Sequence, residues 1–304
     1  MTRVLVLGQT GQLARGLARA TAPEGWRLSF TGRDRADLLD PDSVTELIRS
    51  ERPDVVINTA AYTAVDRAEA EPDLAFAVNA RAPEAIAKAA LGSGSLLIHV
   101  STDYVYGGGS GGPYSEADPV APVQAYGRSK AEGERLLLAA NPQALVVRTA
   151  WLLSEMSGFV RAILERARRG EALRVVDDQM GNPTHADDLA AALLKIAQMR
   201  LEGRGEPGIL HVAGPLSATW CEVARDLIAG LERENGTDEA LRPISSSEYG
   251  ATAPRPRDSR LSVAQLKSRW GMELRPWTAW VAETAKVGQS SAPISVEKGQ
   301  QSGG

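Results

Sequence analysis

The first fourteen residues constrain the chain more than any others. An apolar run, Val4-Leu5-Val6-Leu7, stops at Gly8 and passes through Gly8-Gln9-Thr10-Gly11-Gln12-Leu13-Ala14 into a helical pattern. Glycines at such a strand-to-helix turn let the backbone bend sharply and approach a diphosphate, whose charge the helix N-terminus then stabilises. The spacing is GxxGxxA rather than GxGxxG, and taken alone it also suits a turn that is merely structural. Its place directly after the first strand favours a dinucleotide site.

The rhythm of the next residues agrees. Short strand-like runs at 3–7, 27–30, 54–57, 96–100 and 144–148 alternate with helical periods, as at 72–91 and 124–139. Strands of four or five apolar residues between amphipathic helices predict a parallel sheet covered on both faces. Right-handed crossovers make it doubly wound. The fold class expected is therefore α/β, with a Rossmann-type domain over residues 1–150. After Trp151 helical periods dominate, at 157–169, 185–199 and 218–232, with brief strands near 173–176 and 209–212. Residues 151–287 are expected to form mostly a smaller C-terminal substrate-binding lobe, with some segments returning to the first domain. The Gly-, Ser- and Gln-rich stretch 288–304 reads as a disordered tail.

Composition narrows the function classes. With 304 residues, 43% hydrophobic and 24% charged, the chain can bury a core without staples. The lone Cys221 forms no internal disulfide, and His99, His185 and His211 lie too far apart for a zinc motif. A formal net charge of -4 gives no general attraction to nucleic acid or anionic membranes. The first apolar run is too short for a signal peptide or a membrane span. A cytoplasmic setting is expected, with neither nucleic acid nor membrane as partner.

The chemistry-bearing pattern lies further along. The fourth strand-like run ends in Ser101-Thr102-Asp103-Tyr104, and 24 residues beyond Thr102 comes Tyr126-Gly127-Arg128-Ser129-Lys130 at a helix start. Tyr126 and Lys130 are four apart and share a helical face. An ammonium there is expected to lower the phenol pKa. A hydroxyl at a strand's carboxyl end falls where open α/β sheets bind ligands. Together the three suit carbonyl reduction: Tyr126 to donate a proton, Lys130 to tune it, Thr102 to orient the oxygen. A bare YxxxK is otherwise an ordinary surface pair, so its order after the STD strand end and the glycine turn is what carries the inference. Past the second strand, Arg33 suits either a 2′-phosphate, favouring NADPH, or plain solvent. The NADH or NADPH choice stays open.

Longer stretches resemble the extended short-chain dehydrogenase/reductase family, and within it the dTDP-4-dehydrorhamnose reductases. They are Gly8-Gln9-Thr10-Gly11-Gln12-Leu13, Arg52-Pro53-Asp54-Val55-Val56-Ile57-Asn58 and Ala60-Ala61-Tyr62-Thr63-Ala64-Val65-Asp66-Arg67-Ala68-Glu69. Further along come Ser101-Thr102-Asp103-Tyr104-Val105-Tyr106, Arg148-Thr149-Ala150-Trp151, Asp178-Gln179-Met180-Gly181-Asn182-Pro183-Thr184 and Arg255-Pro256-Arg257-Asp258-Ser259-Arg260-Leu261. The resemblance implies reduction at C4 of dTDP-4-dehydro-L-rhamnose by NADPH or NADH. It implies Tyr126 as general acid, Lys130 on the nicotinamide ribose and Thr102 on the sugar oxygen. Gly8, Gly11, Gln12 and Leu13 would line the pyrophosphate, and Asp37 and Leu38 the adenosine end. Ala61, Tyr62, Thr63 and Val100 would lie along the cofactor, while Asp103 and Trp151 would touch the sugar nucleotide. It also implies a homodimer and, in some members, Mg2+ at carboxylates between subunits. Asp187 is a candidate for that place, although acids favour helix starts in any case.

Three positions depart from the pattern: Ala14 replaces a third glycine, Tyr62 a histidine, and Asn182 a smaller residue. Trp151 is open to two roles, stacking on substrate or core packing. Arg255 and Arg257 suit a diphosphate clamp or a solvated loop equally. Thr102-Asp103-Tyr104, in place of Thr-Asp-Glu, argues against a 4,6-dehydratase. Two alternatives remain: a sugar-nucleotide 4-epimerase, and a dinucleotide-binding regulatory subunit like the β subunit of methionine adenosyltransferase.

Overall fold

The computed structural model describes residues 1–109, 111–232 and 241–290. The strands are β1 (Thr2–Leu7), β2 (Trp26–Thr31), β3 (Val55–Asn58), β4 (Leu96–Thr102), β5 (Leu145–Thr149), β6 (Leu152–Leu153) and β7 (Leu173–Val176). Then come β8 (Met180–Gly181), β9 (Thr184–His185), β10 (Gly208–His211), β11 (Ala218–Thr219) and β12 (Leu241–Ile244). The helices are α1 (Gln12–Arg19), α2 (Pro41–Glu51), α3 (Val65–Ala70), α4 (Pro72–Phe76), α5 (Ala82–Ser93) and α6 (Ala125–Ala140). They continue with α7 (Gly158–Arg168), α8 (Ala186–Leu201), α9 (Trp220–Glu232), α10 (Ser246–Tyr249), α11 (Ala264–Trp270) and α12 (Trp277–Ser290). The stretch read as a tail overlaps the end of α12, and its residues 291–304 lie outside the described residues. No helix among the described residues is long and apolar enough to cross a membrane.

Six strands form one parallel sheet in the order β10-β5-β4-β3-β1-β2. Alternation along β1 explains why both faces are covered. Val4 and Val6 face a cluster with Leu189, Leu193 and Ile196 of α8, while Leu5 and Leu7 face Ile48 of α2, Ile86 of α5 and Leu137 of α6. Chain order reverses at β1, which pairs with both β2 and β3. The carboxyl ends of β1 and β3 therefore flank the switch-point crevice where such sheets bind ligands.

The second half of the chain is shared between two cores. Helix α8, strand β10 and Leu266 and Trp270 of α11 pack with the central sheet. Helices α7, α9 and α12 gather around Val160, Leu173, Leu227 and Trp280 in a separate cluster, flanked by two-stranded sheets.

The helix expected over 72–91 is two helices joined by a π turn, Ala77–Arg81. Pro83 has no N–H to offer the carbonyl of Asn79, so the regular ladder breaks there. The wider turn places Asn79 in the interior, 1% exposed, where its amide becomes part of the site.

Candidate active site

Strand β1 delivers the chain into the glycine turn. Gly8 has φ +121°, and a Cβ there would lie 2.4 Å from Thr59 Oγ1, so only glycine fits. Gly11 caps α1 with no side-chain hydrogen bond, and the first turn holds no acid. A Cβ on Gly11 would meet nothing within 4 Å. Free N–H groups at the head of a helix, with open space in front of them, fit a diphosphate. Ala14 is buried without strain because the close helix contact falls at Gly16, whose Cβ would lie 2.9 Å from the Ala186 carbonyl.

The other residues near this turn divide between scaffold and surface. Leu13 is core, so only its backbone can face a cofactor. Arg33 is exposed just past β2 and makes no hydrogen bond or ion pair among the described residues. Asp37 is spent locally: its Oδ1 accepts the Leu39 N–H at 3.0 Å, and its own N–H donates to Ser43 Oγ at 3.2 Å. Leu38 packs on the α2 side of the sheet.

The loop after β3 carries Ala61, Tyr62 and Thr63, and Asn79 holds it. Tyr62 N–H donates to Asn79 Oδ1 at 2.8 Å, and Asn79 Nδ2 donates to the Tyr62 carbonyl and to Ser129 Oγ, both at 3.0 Å. Ser129 lies on α6 between Tyr126 and Lys130, so one buried amide ties the loop to that helix. The Tyr62 hydroxyl donates to Glu71 at 2.5 Å, and this bond raises its pKa. The ring packs against the same alanine cluster as Tyr126, formed by Ala68, Ala75 and Ala125. Thr63 is exposed, and Ala61 half-buried.

Thr102 ends β4. Its hydroxyl donates to Asp103 Oδ1 at 3.0 Å and accepts the Tyr104 N–H at 3.2 Å. The other Asp103 oxygen accepts Ser259 Oγ at 2.5 Å. Burial pushes the Asp103 carboxyl up to about 7, against the pull of the Ser259 and Thr102 hydrogen bonds. Tyr126, in the first turn of α6, is pushed up to about 12 by burial, with the Thr102 hydroxyl pulling it down and the Asp103 charge adding to the rise. Such a phenol keeps its proton through the neutral range.

Lys130 is 1% exposed, and its Nζ donates to the Val100 carbonyl at 2.8 Å and lies 3.1 Å from His99 Nε2. Burial pushes the ammonium down to about 8, with Glu134 opposing. The sequence expectation that Lys130 lowers the phenol pKa needs correction. Helical spacing places both residues on one face, but Lys130 turns into the sheet, and the groups acting on the phenol are Thr102 and Asp103.

The C-terminal residues reach the site along a strap. In the segment 254–261, the Arg257 carbonyl accepts Met180 N–H at 2.7 Å, Ser259 N–H donates to the Met180 carbonyl at 2.9 Å, and the Arg260 carbonyl accepts Tyr114 N–H at 2.7 Å. Asn182 is fully engaged here. Its Oδ1 accepts Leu261 N–H at 2.7 Å and its Nδ2 donates to the Gly214 carbonyl at 2.8 Å, which a smaller residue could not do. Arg255 binds Asp66 at 2.9 Å rather than standing free, while the exposed Arg257 side chain makes no hydrogen bond or ion pair among the described residues.

Trp151 has φ +41°, a strained conformation for a bulky residue, at the end of β5. Trp220 stacks on its ring at 3.7 Å and 5°, and Gly181 lies so close that a Cβ would come within 2.3 Å of it. Stacking of a sugar on this indole is thus opposed by neighbours already in place. Asp187 pairs with Arg19, and no group of three or more potential metal ligands occurs among the described residues.

Among the described residues, six of the ten buried side-chain polar atoms without a protein partner lie near the sheet's carboxyl edge: Gln12 Oε1, Thr31 Oγ1, Ser101 Oγ, Thr149 Oγ1 and both amide atoms of Gln124. Buried polar groups ordinarily find partners, so this edge suits a polar ligand such as a dinucleotide.

The family model of the RmlD substrate binding domain matches residues 1–289. The chain belongs to this family. Within the family it is 39% identical over 278 residues to a dTDP-4-dehydrorhamnose reductase of Sinorhizobium fredii, covering 90% of this chain and 94% of the relative. It is 38% identical to a probable dTDP-4,6-dihydroxy-2-methyloxan-3-one 4-ketoreductase of Streptomyces antibioticus, covering 92% and 94%. A crystal structure of the Bacillus anthracis dTDP-4-dehydrorhamnose reductase in complex with NADP superposes with TM-score 0.85 at 30% identity, covering 95% of this chain and 100% of that one.

Several residues that build the site went unnoticed as site residues in the sequence. Asn58 and His99 sit in otherwise apolar buried strands, and a lone polar residue there was the available signal. Asp66 and Ser259 stand within the family-like stretches, but only the folded chain brings Asp66 to Arg255, Ser259 to Asp103 and Asn79 to Ser129.

Proposed function

We propose that the chain reduces the C4 carbonyl of dTDP-4-dehydro-L-rhamnose to give dTDP-L-rhamnose, with NADPH preferred over NADH. The observation that carries this reading is the gathering of Thr102, Tyr126 and Lys130 at the carboxyl edge of the sheet that also presents the uncapped head of α1. Support for the substrate comes from the names of the relatives, and support for NADPH from the unpartnered Arg33 and the NADP complex of the Bacillus anthracis protein.

The head of α1 would hold the pyrophosphate, Arg33 the 2′-phosphate and Lys130 the nicotinamide ribose. When bound, the reduced nicotinamide supplies the hydride for the C4 carbon. Tyr126 gives its proton to the carbonyl oxygen as negative charge gathers there, and Thr102 hydrogen-bonds the same oxygen. The high phenol pKa ensures that the proton is present at neutral pH. Asp103 holds Thr102 from behind and reaches Ser259, so the strap can sense or orient the sugar. The protein is proposed to act as a homodimer, as its resemblance implies, and light scattering on the purified protein tests this.

The deciding assay mixes the purified protein with dTDP-4-dehydro-L-rhamnose and either NADPH or NADH, following the absorbance of reduced cofactor. Rapid oxidation with dTDP-L-rhamnose as product, faster with NADPH, is expected. No oxidation by a protein that binds the cofactor would overturn the reading. Parallel runs with other dTDP-4-keto sugars separate it from the activity named for the Streptomyces antibioticus relative.

A further inference from the structure

Behind Lys130 lies a buried pair that the reaction as described does not use. Asn58 and His99 are each 0% exposed, on adjacent strands β3 and β4. Asn58 Oδ1 accepts the Ala60 N–H at 3.1 Å, which turns the amide NH2 toward His99 Nδ1 at 3.0 Å. Nδ1 must then be an acceptor. A neutral imidazole whose Nδ1 accepts carries its proton on Nε2, and Nε2 is 3.1 Å from Lys130 Nζ.

An ammonium has only donors, so it cannot accept that proton. Giving Nε2 the acceptor role would move the imidazole proton to Nδ1, against the NH2 of Asn58. Only one assignment satisfies every contact: Asn58 donates to Nδ1, Nε2–H donates to a neutral amine, and the amine donates to the Val100 carbonyl. A charged imidazole is no escape, since burial holds His99 well below its ordinary pKa.

We propose that His99, locked by Asn58, is a positioning residue for Lys130, holding the amine against the Val100 carbonyl and favouring its neutral form. The proposal rests on the reading of Tyr126 and Lys130 as catalytic residues. Near neutral pH Lys130 exchanges its proton with solvent, passing between an ammonium and an amine that His99 Nε2–H receives. The charged and titratable groups around it are Glu134, one turn along α6, and Arg148 of β5, which holds Glu134 at 2.6 Å. Tyr126 lies one turn back on α6, and Asp103 follows β4. Glu134 favours the ammonium, and burial opposes it.

Two variants test this. In His99→Gln the side-chain carbonyl can accept from the ammonium. In Asn58→Asp the carboxylate accepts an Nδ1 proton, which frees Nε2 to accept. Both should move the alkaline limb of kcat/KM, and the matching limb of NADPH affinity, upward by about one pH unit. A limb that stays in place in a folded variant, with activity reduced equally at all pH values, would make His99 a packing residue and overturn the proposal. NADPH affinity against pH needs no turnover. If Tyr126→Phe keeps full activity, the catalytic reading fails, while the binding limb still judges His99.

Discussion

The two sides of the site are built in different ways. On the sheet side, Thr102 ends a strand, Tyr126 and Lys130 are one helical turn apart, and Gly8 and Gly11 flank the first turn. Each is positioned by its own element, and the elements are held by strands buried on both faces. On the other side, Ser259, Arg255 and Asn182 are positioned by contacts with residues far away in sequence, and Trp151 is held by Trp220. A strand end fixes a side chain through a continuous ladder of hydrogen bonds. A strap fixes one through a few separate bonds, each open to change. On the proposed reading, the chemistry sits on the rigid side, and the contacts able to tune substrate choice sit on the strap.

The largest effect should come from the rigid side. Tyr126→Phe removes the proton donor and should lower turnover by about 10²–10⁴-fold, with thermal stability near wild type. Near-normal turnover in steady-state assays would show that the rigid side does not carry the chemistry.

Asp103 joins the two sides, and pH probes it. Its folded carboxyl is raised from 3.8 to about 7, so the folded state binds its proton more tightly than the unfolded chain does. Stability should fall as pH rises from about 4 to about 7, and the full cost should persist above that. Asp103→Asn carries no such charge and should gain several degrees in Tm over wild type at pH 8, with little gain at pH 4. Equal differences at both pH values, measured by calorimetry, would remove the buried charge from the account.

Trp220→Ala tests the strap side's packing. Loss of a half-buried aromatic partner should cost about 2 kcal/mol by chemical denaturation and should raise the KM for the dTDP-sugar more than that for NADPH. Equal changes in both constants would mean that the two sides are not separable. The smallest effect is expected from Asp66→Ala, which frees Arg255 and the Ala253 N–H. About a tenfold rise in the sugar KM is expected, at unchanged kcat. A fall in kcat instead would place Asp66 on the chemical side.

Much of this division was legible in the chain. Alternating apolar runs specified the parallel sheet, since central strands must be apolar on both faces, and the strand positions agree closely: 96–100 was expected where β4 (Leu96–Thr102) lies. The π turn was not legible, because helical periodicity at 72–91 continues through it and only the missing N–H of Pro83 marks the break. The direction of Lys130 was equally hidden. Spacing of four gives a shared face, but whether the ammonium meets Tyr126 or a histidine depends on the neighbouring strands.

The sequence by itself determined which residues could do chemistry and in what order they arrive: a glycine turn, a threonine at a strand end, and a tyrosine and lysine on one helix. These follow from short-range rules, namely strand and helix periods and the conformational freedom of glycine. Only the tertiary structure decided what each group faces: Asn58 behind His99, His99 behind Lys130, Ser259 on Asp103, Trp220 on Trp151. Proton position and burial depend on the nearest few atoms, and in this fold those atoms come from residues as much as 189 positions apart.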